Sequence, residues 1–203
     1  MTWDGADAEG TARWIYERAG ADMTSPGNPI ALAKALGVDV VGAPRVGLWG
    51  DATLTRVAGR SVIWTAPRVP TVRLRFAVAH ELAEWAMRAR GNDDIEDLCN
   101  ATAAAVLAPA GVFREALATF GADLPALSRV FKVTETCAAL RIGETTAEPI
   151  ALVSPQFVRV RGDEWGWPSA DEIRRLSRSK ADPLALRLVR LTDDDRRVFL
   201  RVA

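Results

Sequence analysis

The chain has 203 residues, 49% of them apolar and 26% charged, with a formal net charge of zero. That balance suits a globular domain with a sizeable core, and it supplies no global field to draw the protein onto nucleic acid or an acidic membrane. No apolar run approaches the length of a membrane span, and "MTWDGADAEG" is acidic where a secretory signal would be basic and then apolar, so a cytoplasmic protein is expected.

In chain order, "AEGTARWIYERAG" (Ala8 to Gly20) sets Ala12, Trp14, Ile15 and Ala19 at near-helical spacing, with Gly20 as a stop. "NPIALAKALG" predicts a second short helix, with Pro29 in its first turn behind Asn28 and Gly37 just past its end. "VDVV" reads as extended. "ATLTRV" and "RSVIW", separated by Ala58 and Gly59, predict a hairpin. Pro67 and Pro70 end the strand region and introduce a helix from about Thr71 to Arg90, which Gly91 closes. "NDDIEDLCNATAAAVLAP" predicts the next helix. Its Asn-Asp-Asp start is a capping region, Pro109 is its limit, and five alanines between Ala101 and Ala108 allow close approach of a neighbour.

"AGVFREALATFG", "DLPALSRVF" and "TETCAALRIG" predict three further short helices, the last capped by Thr134, with Phe113, Leu117 and Phe120 in the core. After Pro149 the pattern turns to strands: "PIALVS", "QFVRVRG", "LALRLVRL" and "RRVFLRV", the last two a hairpin around "TDDD". Between them lie a loop, "GDEWGWPS", whose Trp165 and Trp167 serve as burial anchors, and a polar helix, "ADEIRRLSRSK". The order is mixed α+β, with a main domain over 1–148 and a β-rich extension over 149–203 packed on it. Cys99 and Cys137 lack the spacing of a zinc knuckle and read as buried free thiols.

The chemistry centres on "RFAVAHELAEW", which contains His80, the chain's single histidine. On a helix, residues four apart share a face with Cβ atoms about 5–6 Å apart, so His80 and Glu84 can grip one ion. Glu81 is rotated by about 100° from His80, beside such an ion and not on it. There a carboxylate can take a proton from attacking water, the division of labour in His-Glu-x-x-His metallopeptidases, with Glu84 here in place of the second histidine. More carboxylate shifts preference from zinc toward Mn²⁺. A third ligand must come from elsewhere, and the next helix offers Asp93, Asp94, Glu96 and Asp97. Glu96 fits if the two helices pack antiparallel after Gly91. The competing reading makes His80 an ordinary helix-face histidine and Glu84 the i,i+4 partner of Arg88.

"RLRFAVAHELAEW" followed by "IEDLCNATAAAVLAP" resembles the ImmA/IrrE family of metallopeptidases, whose segments run R-F-T-x-A-H-E-L-G-H and E-x-x-A-N-x-F-A-A-x-L-L-M-P. Arg75, Phe76, Ala79, His80, Glu81 and Leu82 match the first; Glu96, Asn100, Ala103, Ala104, Leu107 and Pro109 match the second. With "NPIALAKALGVDVV" upstream and "LPALSRVFKVTETCAALRIGE" downstream, the likeness covers residues 28 to 144. It implies a gluzincin-like α+β metallopeptidase domain over 1–148. The ligands would be His80, Glu84 and Glu96, the ion Zn²⁺ (or Mn²⁺), and the general base Glu81. Family members commonly cleave a helix-turn-helix repressor after stress, which makes a transcriptional repressor the expected partner. The departures are Glu84 for histidine, Ala83 for glycine, Thr102 for Phe and Ala108 for Met. With one histidine fewer, oxyanion support would fall to another donor, such as Arg75 or Arg141.

Two rival readings follow. A non-catalytic descendant would bind a protein or sense a ligand without metal. A DNA-binding regulator would use Leu124 to Gly143, which has the outline of a helix-turn-helix but carries Arg141 as the second helix's sole base. From Asp171 onward, "RRLSRSK" is a basic stretch that reads as a solvated face.

Overall fold

The structure, a computed structural model, describes residues 5–43, 50–91, 95–146, 150–153, 158–161, 186–190 and 197–201. Contacts divide the chain into two units, Met1–Glu115 with Val130–Val133, and Ala116–Arg129 with Thr134–Ala203. The division passes through α5, so each unit is described by itself.

The first unit runs α1 (Gly5–Arg18), α2 (Pro29–Ala35), β1 (Asp39–Gly42), β2 (Ala52–Val57), β3 (Arg60–Thr65), α3 (Thr71–Ala89), α4 (Glu96–Leu107) and the start of α5 (Ala110–Phe120). Local chemistry fixes several boundaries. Asn28 caps α2 by accepting the Ala31 N–H at 3.3 Å, Pro29 takes the first helical position, and Gly37 follows the helix with φ +73°. Ala58 and Gly59, both at positive φ (49° and 82°), form the two-residue turn that matches the twist of the β2–β3 hairpin. Gly91, at φ +74°, ends α3. Asn92 to Asp94, expected to cap α4, lie outside the described residues. The observed N-cap is Ile95, without a side-chain bond.

The three-stranded sheet has the order β1-β3-β2, with β1 parallel and β2 antiparallel to β3. Asp51 C=O accepts from Ala66 N–H at 2.9 Å, and with Ala52 opposite Thr65 this fixes the hydrogen-bonding phase of the hairpin. Thr53, Thr55 and Val57 therefore bond to β3, while the backbone groups of Ala52, Leu54 and Arg56 point away from it, to the edge of β2 that no described strand pairs. Ile63, Ala52 and Thr65 are buried on the sheet face that meets α3.

α4 packs on both α3 and α1, and its alanines Ala101, Ala103 and Ala105 are buried, as close helix approach requires. The last turn of α4 is secured from outside. Tyr16 donates its hydroxyl to Val106 C=O at 2.8 Å, and Gly27 N–H donates to Leu107 C=O at 3.1 Å. Arg75 on α3 donates from Nη2 to Gly27 C=O at 2.6 Å and from Nε to Lys132 C=O at 3.3 Å. The expected oxyanion donor thus ties three backbone segments together. Phe113 packs on Phe131 at 5.1 Å between ring centroids, and Trp14 on Trp85 at 6.0 Å.

The second unit contains most of α6 (Leu124–Phe131), α7 (Glu135–Thr146), and β4 (Ile150–Val153), β5 (Val158–Arg161), β6 (Leu186–Arg190) and β7 (Arg197–Arg201). Its sheet is antiparallel in the order β5-β4-β7-β6. Thr134 caps α7, accepting Cys137 N–H at 3.1 Å. Two expectations are corrected here. Phe120, expected in the core, is 44% exposed at the end of α5. Arg141 is buried and paired with Glu144 at 3.2 Å, so α7 lacks the exposed base that DNA contact would need and Arg141 is already engaged as a donor. Trp165, Trp167 and "RRLSRSK" lie outside the described residues.

Candidate metal centre

His80 sits on the face of α3 that meets α4, on a helix whose neighbouring positions Val78, Ala79, Leu82 and Ala83 are buried in the core. Its Nδ1 lies 3.1 Å from Asn100 Oδ1. The Asn100 Nδ2 donates to Glu96 Oε1 at 3.1 Å, which orients the amide and leaves Oδ1 as an acceptor toward the imidazole. The proton of a neutral His80 therefore belongs on Nδ1, and the lone pair on Nε2. That nitrogen faces Glu96 Oε2 at 3.6 Å, too far for a hydrogen bond. Two donors that share one ion at about 2.0–2.1 Å stand about 3.3–3.6 Å apart when the angle at the ion is near-tetrahedral or somewhat wider.

Glu84 shares the face of His80, one turn on, and is partly buried, but its carboxylate is paired with Arg88. Glu81 turns toward the sheet, where its Oε2 accepts the Leu54 N–H at 2.7 Å. Asp97 is exposed at the start of α4, and Asp93 and Asp94 lie outside the described residues. The structure thus brings His80 and Glu96 together, with Asn100 bonded to both, and turns Glu84 and Glu81 to other partners. Among the described residues, no three His, Cys, Asp or Glu side chains already surround one point.

The family model described as an IrrE N-terminal-like domain, of the M78 peptidases, matches residues 33–143, more than half the chain. The chain belongs to the IrrE-like family. A solved structure, a Mycobacterium tuberculosis transcriptional regulator, matches with a TM-score of 0.63 at 18% identity, over 81% of this chain and 57% of that one. At that identity the likeness is one of fold, and the present chain spans little more than half the regulator's length. No curated sequence matches.

The IrrE-like domain invites the question whether its residues fit the divalent ion that the family implies. The donor chemistry is suitable: one imidazole with its lone pair directed outward, and two carboxylates. Two of the three donors stand at a separation that one ion accommodates. The third, Glu84, lies one turn from His80 on the same face of α3 and is paired with the half-exposed Arg88. In donor type and placement the residue set fits.

In the sequence, Asn100 has no role beyond its place in the family motif. The signal was present: Glu96 and Asn100 are four apart, hence on one face, and an amide can serve an imidazole and a carboxylate at once. The Leu54 N–H was not legible, because which strand amides point outward depends on hairpin phase. Neither cysteine belongs to the centre. Cys99 packs its sulfur 3.6 Å from Met87 Sδ, and the Cys137 thiol is pushed up to about 12, by burial first and then by Glu144, against the opposing effect of Arg141.

Proposed function

We propose that this chain is a metal-dependent endopeptidase of the ImmA/IrrE type that hydrolyses a peptide bond in a regulatory partner protein, a helix-turn-helix repressor being the leading substrate, in the cytoplasm. One observation carries the reading. His80 Nε2 and Glu96 Oε2 face each other at 3.6 Å while Asn100 orients both, an arrangement with little purpose as a plain ion pair because Glu96 is 78% exposed. His80 and Glu96 would hold the ion, with Glu84 as third ligand after leaving Arg88. When bound, a zinc-type ion polarises a scissile carbonyl and makes water acidic enough to react near neutral pH. Glu81 accepts the proton of the attacking water and returns it to the leaving amine. The fold shared with a transcriptional regulator supports a regulatory setting.

Elemental analysis of protein purified without chelator tests this. One transition-metal ion per chain is expected in the wild type and none in His80→Ala. Glu81→Gln should keep the ion and lose proteolysis. A wild type that binds no ion under any loading condition would sink the proposal.

A second reading, a metal-free family member that binds a partner protein, draws on the pairing of Glu84 with Arg88. It requires Glu84→Ala to leave metal content unaltered, whereas the peptidase reading requires a loss.

A further inference from the structure

The edge of β2 that no described strand pairs and the carboxylate assigned as base share one hydrogen bond. β2 is an edge strand, and the backbone groups of Ala52, Leu54 and Arg56 point outward along it. Such an edge accepts an extended polypeptide as a further strand, through alternate N–H and C=O groups. At Leu54 the outward N–H is occupied, donated to Glu81 Oε2 at 2.7 Å by a bond that spans 27 positions of sequence. A carboxylate that accepts a backbone N–H gains a charge-assisted bond, stronger than its neutral counterpart. While it stands, the amide is closed to an incoming strand and the carboxylate is held against the sheet.

We propose that Leu54 N–H is a shared socket, filled by Glu81 in the peptide-free domain and by a backbone carbonyl of an extended polypeptide once that polypeptide docks along β2, so that docking itself releases Glu81. What Glu81 does after release rests on the peptidase reading above; the exchange at the socket does not. The ligand is recognised by its extended backbone, so the partner must present an unfolded or strand-like segment. The device also keeps the base idle until a chain to be cut is in place.

Two non-cleaving variants of the full-length protein separate the possibilities. Glu81→Gln keeps an oxygen that can accept the Leu54 N–H, and Glu81→Ala does not. Hydrogen exchange of the Leu54 amide, followed by NMR, should be at least about tenfold faster in Glu81→Ala, with the Arg56 amide on the same edge unchanged. Fluorescein-labelled casein, an unfolded polypeptide, should bind Glu81→Ala about tenfold more tightly than Glu81→Gln, because the competitor is gone. Adding Leu54→Pro to both variants removes the donor at an edge position that tolerates proline, and should erase the difference. Equal or weaker casein binding by Glu81→Ala, or no binding by either variant, overturns the proposal. Failure of the peptidase reading looks different: the wild type would hold no ion and leave casein intact while the contrast between the two variants persisted.

Discussion

Asn100 Oδ1 stands 3.1 Å from His80 Nδ1, across the contact between α3 and α4. The same amide donates to Glu96, so one side chain sets both the tautomer of the imidazole and the direction of the carboxylate. Removing it should weaken metal binding without removing a ligand. Asn100→Ala is expected to lower zinc affinity by about 10–100-fold, and Asn100→Asp, which keeps an acceptor for the Nδ1 proton but loses the donor to Glu96, should recover only part of it. Calorimetric titration with zinc and the absorption bands of the cobalt form provide the measure. Unchanged affinity in Asn100→Ala would reduce the contact to ordinary helix packing.

Glu84 and Arg88 pose a competition that can be tuned from either side. Arg88→Ala removes this competing partner without altering a ligand, and should raise metal affinity by about twofold, the equivalent of an i,i+4 pair. Glu84→His should raise it further, since a neutral imidazole replaces a carboxylate in a site that already holds one. Glu84→Ala should release the ion. If all three variants bind metal as the wild type does, Glu84 is not a ligand.

The helices of the first unit were legible because their ends carry strong local chemistry. Asn28, Pro29 and Gly37 bound α2, and Gly91 ends α3, whatever the rest of the chain does. The alanines of α4 signalled the close approach of a neighbouring helix, and the contact of α4 with α3 is what brings His80 and Glu96 together. Spacing alone was silent on rotamers. His80 and Glu84 share a face, yet an arginine one turn further on decides where the Glu84 carboxylate points. Arg75 and Arg141 show the same limit, since each looked like a free cation in sequence and each is spent on internal bonds, to Gly27 and Lys132 in one case and to Glu144 in the other. Phe120 kept helical spacing with Phe113 but falls at the end of α5, past the part of the helix that buries the earlier ring.

Gly27 is required for reasons of space. A Cβ at this position would lie 1.9 Å from Val106 O and 2.4 Å from the Tyr16 hydroxyl, and the first of these is backbone that cannot swing aside. Gly27→Ala should therefore push the loop off the end of α4 and loosen the Arg75 bond to Gly27 C=O. Urea unfolding is expected to show a loss of about 1–3 kcal/mol, the usual cost of forced overpacking. A variant as stable as the wild type would mean that α4 and its capping loop separate freely.

Tyr16 is the chain's single tyrosine, so its ionisation can be followed by ultraviolet absorbance without interference from another phenol. Burial pushes its pKa up from 10.0 to about 12, with Arg75 opposing the shift and Asp22 adding to it. The folded state thus prefers the neutral phenol, which donates to Val106 C=O. A folded pKa above the unfolded one means that the contribution is fully present below pH 10.0 and is lost as pH rises toward about 12. Native protein should accordingly titrate near the upper value and urea-unfolded protein near the lower, with stability falling between them. Tyr16→Phe should lose about 1–3 kcal/mol at neutral pH, because the Val106 carbonyl is left without this donor, and should flatten much of the alkaline decline. A native titration midpoint at the ordinary phenol value would show that the hydroxyl reaches solvent and that the α1–α4 contact is looser than the 2.8 Å bond implies.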